Sequence, residues 1–172
     1  QYNDGLIMLS GGVENGFLAK PASLNNKKLL QDRLKYLKNI FNDNLYIELQ
    51  RHGIKSQLIA EKILIELACE HDLPLVATND CFFQNENKFE AHQVLTCIDK
   101  GLTISSDKRR TLTKEHYLKD PNKMISLFKD IPEAIENTVI IAKRCSFFVK
   151  TRNPILPKYP GLENITEADY LS

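Results

Sequence analysis

Three short apolar runs, each separated from the next by a long amphipathic stretch, constrain this chain more than any other feature. "DGLIMLSGG" (4–12) reads as a buried strand that ends in a glycine turn. From Asn26 to Asp43, Leu29, Leu30, Leu34, Leu37, Ile40 and Phe41 recur at helical spacing, with lysines and other polar residues on the opposite face. "LYIELQRHG" (45–53) alternates instead, Leu45, Ile47 and Leu49 pointing one way and Tyr46, Glu48 and Gln50 the other. It is a strand that His52-Gly53 leaves. Residues 55–72 predict a second amphipathic helix through Leu58, Ile59, Ile63, Leu64 and Leu67, closed near Leu73-Pro74. "LVAT" (75–78) is the third strand. Strands joined through helices pair in parallel with right-handed crossovers, so the expected class is α/β. Strands at 5–10, 45–50 and 75–78 bury themselves poorly without neighbours on the open edge. More of the sheet is therefore expected before Gln1, and the chain, which opens without an initiator Met, is expected to be a piece of a longer protein.

Beyond Asp80 the character changes. Residues 86–100 look helical and stop at Lys100-Gly101. Asp120-Pro121 sets an N-cap before a proline in the first turn, predicting a helix over 121–129. Pro132 opens another, carrying Ala134, Ile135, Val139, Ile140 and Ala142. "NPILPKYPG" (153–161) is too rich in proline for helix or ladder and reads as a linker, after which Thr166 and Asp169 restart a helix. The expected divisions are 1–100, 101–152 and 153–172.

Composition narrows the function classes. Hydrophobic residues at 42% and charged residues at 26% are close to globular values, so disorder is not indicated. A formal net charge of +1 gives no general pull toward nucleic acid or an acidic membrane, so any such role must rest on a local patch. The only compact cationic cluster in the linear sequence is "DKRR" (107–110). Its Lys108, Arg109 and Arg110 are candidate phosphate contacts, weighed against a solvated turn or an internal ion pair, and no aromatic residue interleaves them. Cys69, Cys81, Cys97 and Cys145 form no CxxC pair and no short Cys/His spacing, so a structural zinc cage is not expected. Their apolar neighbours predict mostly buried thiols and a reducing, cytoplasmic location. No apolar run approaches the roughly 20 residues of a membrane span, and no membrane partner is expected.

The stretch with most chemistry is "PLVATNDCFFQNENKFEAH" (74–92), where Thr78, Asn79 and Asp80 arrive together at the carboxyl end of a buried strand. That end of a parallel sheet is where α/β proteins hold ligands and metals. Asp80 is a candidate metal ligand or a cap of the turn. His52 leaves its strand toward the same end and is either a ligand or a hydrogen-bonded histidine. Glu48 and Gln50 are either polar groups facing an interior or residues simply satisfied by their neighbours, while His71 and His92 lie on helices and read as surface or core-edge residues.

Taken together, "YIELQRHG", "LPLVATND" and "PEAIENTVIIAKRC" resemble the alpha-subunit family of bacterial DNA polymerase III. "GLIMLSGG", "EAHQVLTCIDKG", "KRRTLTKEHYLKD" and "LPKYP" match it in the same order, so the resemblance covers nearly the whole chain. The matching region is the latter half of the polymerase-and-histidinol-phosphatase (PHP) domain, running into the start of the palm. The resemblance implies a partial PHP-type seven-stranded (βα) barrel with parallel strands, followed by a mainly helical segment. Members with a complete site bind a metal cluster there. Asp80 matches the aspartate of their Asp-x-His element, but Phe82 stands at the histidine position and offers no lone pair. Gly12 stands where metal-binding relatives often have cysteine. The resemblance thus implies a degenerate site, with Asp80 as a remnant and Phe82 packed into the vacated space. The segment is expected to be structural, without catalytic residues or a cofactor of its own. The parent chain would synthesise DNA with Mg2+ on palm carboxylates, and this chain contains no Asp-x-Asp. Implied partners are the palm, DNA through the parent chain and, in some members, a proofreading exonuclease subunit. The competing readings are an active metal-dependent phosphoesterase or exonuclease, and a free-standing binding module that uses the basic loop.

Overall fold

The structure, a computed structural model, describes residues 3–106, 112–155 and 166–170. Three parallel strands form one sheet in the order β1 (Met8–Leu9), β2 (Leu45–Leu49), β3 (Leu75–Ala77). β2 is central because it is the run that suits burial on both faces. Leu45, Tyr46, Ile47 and Leu49 are all buried, and only Glu48 is half-exposed. The alternation in the sequence therefore does not separate a core face from a solvent face. Tyr46 is covered too, and Arg144 donates to its hydroxyl at 2.9 Å.

Register brings the carboxyl ends of β2 and β3 level and leaves β1 ending short of them. Met8 pairs with Leu45 and Leu9 with Tyr46, while Ile47, Glu48 and Leu49 pair with Leu75, Val76 and Ala77. The ladder runs one step further on each side: Ser10 N–H donates to the Tyr46 carbonyl and Thr78 N–H to that of Leu49, both at 3.0 Å. Gln50 and Thr78 consequently emerge side by side at one edge of the sheet, while Ser10 lies level with Ile47 and the glycine loop runs on from it.

The helices fall where periodicity placed them. α2 (Lys27–Phe41) starts at Asn26, whose side chain accepts from Leu29 N–H at 3.1 Å, and buries Leu30, Leu34 and Leu37. α3 (Lys55–His71) ends at Asp72 in the left-handed conformation. α4 (Phe89–Lys100) follows a turn of 3-10 helix at Glu86–Lys88 and stops at Gly101, with φ of 60°. α5 (Pro121–Leu127) has the expected cap, Asp120 accepting from Lys123 N–H at 3.0 Å. α6 (Pro132–Arg144) packs on β3, and Asn137 donates to the Leu75 carbonyl at 2.7 Å. A short α1 (Ala19–Ser23) carries no periodic signal, yet Leu18, Ala19 and Ala22 belong to the single core formed with β2, β3, α2 and α3. α7 (Glu167–Tyr170) begins at Thr166, whose hydroxyl accepts from Asp169 N–H at 3.2 Å.

Several expectations change. The first strand has two residues instead of six, since its run meets a glycine-rich loop at once. Of the four cysteines only Cys97 is buried; Cys69, Cys81 and Cys145 are exposed despite their apolar neighbours in sequence. The described residues form an open three-stranded sheet, with no closed barrel. Residues 153–155 are irregular and exposed, while most of the Pro-rich stretch and all of "DKRR" lie outside the described residues. Among the described residues no helix is long and apolar enough to cross a membrane.

Candidate functional site

The shared carboxyl edge of the strands meets two loops. After β1, Gly11 adopts φ of 79°, and a Cβ on Gly16 would lie 2.2 Å from the Gly12 carbonyl oxygen, so only glycine permits this close backbone approach. After β3, Phe82 N–H donates to the His116 carbonyl at 2.8 Å and Leu118 N–H to that of Phe83 at 2.9 Å. This short parallel pairing carries the segment 116–119 to the sheet edge. Between the loops lies a cavity of about 310 Å³ lined by the glycine loop, Gln50, Gln57, Asp80 and His116.

Beneath the cavity two polar chains close on themselves. In the first, Glu48 accepts from Gly11 N–H at 3.0 Å, from the Gln50 amide at 2.9 Å and from the Thr78 hydroxyl at 2.5 Å. Its own N–H donates to Ser10 Oγ at 2.9 Å. Gln50 fills the space beside Gly12 so completely that a Cβ at position 12 would sit 2.2 Å from Gln50 Oε1.

The second chain fixes His52, which is 1% exposed. Its backbone N–H donates to Gln57 Oε1 at 2.8 Å, which orients that amide so that Nε2 donates to His52 Nδ1 at 2.9 Å. Nδ1 is therefore an acceptor, and the proton of the neutral ring is on Nε2, facing Asn79 Oδ1 at 3.3 Å. Asn79 is oriented in turn by donating to the Tyr117 carbonyl at 2.7 Å. The His52 ring stacks on that of His116, centroids 3.9 Å apart and planes 11° from parallel. His116 Nδ1 accepts from Thr113 N–H at 3.1 Å, and the Thr113 hydroxyl donates to the His52 carbonyl at 2.7 Å. Lys119 completes the group with a fully buried side chain, its ammonium 3.5 Å from the Glu115 carboxylate and also bonded to the Glu115 carbonyl. Burial pulls that ammonium below the usual lysine range, with Glu115 opposing the shift.

The residues singled out from sequence thus separate. Asp80 is half-buried at the cavity wall with His116 and Gln50, while His52 lies beneath in its own hydrogen-bond chain. Phe82 is half-buried, not enclosed, with ring centroids 5.7 Å from His92 and 6.0 Å from His116. His92 sits on α4 between Phe82 and Phe83, and His71 at the end of α3 is remote from the cavity. Lys108, Arg109 and Arg110 lie outside the described residues. Gln57, His116 and Lys119 were not singled out; only the pairing of 82–83 with 116–118, invisible to periodicity, brings the last two in. Among the described residues no three His, Cys, Asp or Glu side chains are grouped to share one metal ion.

No family model matches the chain. Curated relatives do. The chain is 42% identical over 171 residues to a DNA polymerase III subunit alpha of Caulobacter vibrioides, covering 99% of this chain and 15% of that protein. It is 37% identical over 172 residues to the same subunit of Escherichia coli and 36% identical over 172 residues to that of Haemophilus influenzae, with the same coverage. The chain therefore spans about 15% of the length of the curated relatives it matches.

Proposed function

The chain belongs to the DNA polymerase III alpha-subunit family as a segment of it, and from that premise we propose that it is the latter part of a PHP-type (βα) barrel that serves the subunit as structure, its metal site degenerate. The sheet of β1, β2 and β3, with parallel register and a common carboxyl edge, is what such a barrel requires of this segment.

The observation that carries the reading is that polar side chains at that edge bond to one another. A metal ligand needs a free lone pair directed at the ion. His52 has none, since Nδ1 accepts from Gln57 and Nε2 carries the proton directed at Asn79. Position 12 has no side chain, and Gln50 occupies the space one would enter. Phe82 presents a ring where the family pattern has an imidazole. These residues do not fit a metal cluster. DNA synthesis with Mg2+ falls on this reading to the rest of the subunit, which is the partner of the segment and its link to DNA.

The test uses the intact subunit with Asp80→Ala and His116→Ala. Primer extension at saturating substrate should persist in both, and neither should remove a metal-dependent phosphodiesterase activity. The cavity walled by Asp80 and His116 has room for a phosphoester. Hydrolysis abolished by either substitution while extension survives would establish the active phosphoesterase instead.

A further inference from the structure

Helix α2 carries a charge pattern that folding does not need. Its residues include Lys27, Lys28, Arg33, Lys35 and Lys38 against the single Asp32, in a chain whose formal net charge is +1. At 3.6 residues per turn the four lysines fall within about 100° of the helix circumference, beside the stripe that buries Leu30, Leu34 and Leu37. Lys27, Lys28 and Lys35 are exposed. Among the described residues none of the four is in ion-pair range of a carboxylate. The first turn holds no acidic residue; Lys27 and Lys28 stand there instead, at the positive end of the helix dipole, where cations are disfavoured. Along the same flank, a groove of about 400 Å³ between α2 and the end of α3 is lined by Gln31, Asp32, Lys35, Lys38 and His71.

We propose that this flank of α2 is a nucleic-acid contact that binds the phosphate backbone without reading sequence. Lys27 to Lys38 spans about 16 Å of helix, at about 1.5 Å per residue. Over that length a DNA strand presents about five phosphates. In the groove a phosphodiester meets Lys35 and Lys38, whose ammonium also donates to the His71 carbonyl at 3.2 Å, with Gln31 as a neutral donor and Asp32 as the one opposing charge. The inference rests on the family reading only in taking DNA as the polyanion, and it is independent of whether the cavity at the sheet edge binds metal.

The test is binding of a primer–template duplex by the intact subunit as salt is raised. Log affinity falls against log salt with a slope of about 0.9 per phosphate contact. Replacing Lys27, Lys28 and Lys35 together by Gln, itself a good helix former, should lower that slope by up to about 2.7. The matching triple Arg variant should keep it. A slope equal to wild type in the Gln variant overturns the proposal and leaves an acidic protein surface as the partner of the flank. An equal loss in the Arg variant would show that lysine geometry, not charge, is at work, and overturns it as well. Failure of the wild-type subunit to bind the duplex would defeat the family reading too, whereas wild-type binding with an unchanged variant slope defeats this inference alone.

Discussion

Arg51 shows how one side chain fixes the geometry around the sheet edge. It follows β2 and donates to both Glu61 oxygens on α3 at 2.9 and 2.7 Å, to the Leu127 carbonyl at 2.6 Å and to Asp130 at 2.6 and 2.8 Å. Its guanidinium also lies 4.6 Å from the centroid of the Phe128 ring, the largest fully buried side chain among the described residues. Arg51→Gln should cost about 2–3 kcal/mol in urea unfolding, because Glu61 is left largely covered without its partner. The same hydrogen bonds hold the Asp130 carboxyl down at about 2. A depressed carboxylate stabilises fully above its unfolded pKa near 4 and loses that contribution as pH falls toward 2. Asp130 is 57% exposed, so solvent screening reduces the effect to about 1 kcal/mol. Stability should therefore fall between about pH 4 and pH 2 in the wild type, and that fall should be smaller in Asp130→Asn. His52 offers a sharper reading at the same scale. Its ring should show the Nε2-protonated neutral form at pH 7 in long-range 1H–15N spectra, and an Nδ1-protonated ring would contradict the orientation assigned to Gln57.

At the scale of elements, the loop after β1 makes a paired prediction. A Cβ on Gly16 would meet backbone, 2.2 Å from the Gly12 oxygen and 2.4 Å from the Gly11 carbonyl carbon, whereas one on Gly12 meets only the Gln50 side chain. Gly16→Ala should cost about 2–3 kcal/mol, since backbone cannot swing aside. Gly12→Ala should cost about 1 kcal/mol, the net worth of the Gln50 hydrogen bond that moves away. Equal effects in thermal unfolding would mean that Gln50 is as fixed as backbone. The contrast also shows what the sequence could reveal. Helices α2, α3 and α6 and the Asp120-Pro121 start were legible because periodicity and caps are local. β1 was overestimated, because the length of a ladder depends on its partner. α1 was missed, since five residues containing Pro21 carry no period. The cationic cluster was sought in adjacent residues, while the lysines of α2 come together only once the helix is wound. At the site, Asp80 was legible from its place after a strand, and Gly12 only from the family resemblance. His116 and Lys119 were not, because a single parallel bridge between Phe83 and Tyr117 delivers them.

At the scale of the molecule, the described residues share one buried core but leave large apolar side chains exposed. Leu95 at 65% and Ile98 at 71% exposure form an apolar stripe on α4 with Val94, and Phe147, Phe148 and Val149 are at least 84% exposed. The chain alone should therefore self-associate, seen as sedimentation that changes over a tenfold concentration range, and a strictly monomeric chain would count against these surfaces being covered in the subunit. The most direct test of the central claim, a segment whose sheet edge is closed by its own hydrogen bonds, is the metal content of the intact subunit after passage over a chelating resin. Wild type and Asp80→Ala should carry the same transition-metal content, with no multi-metal cluster assignable to this segment. Two or more bound ions in the wild type that are lost on Asp80→Ala would contradict the account.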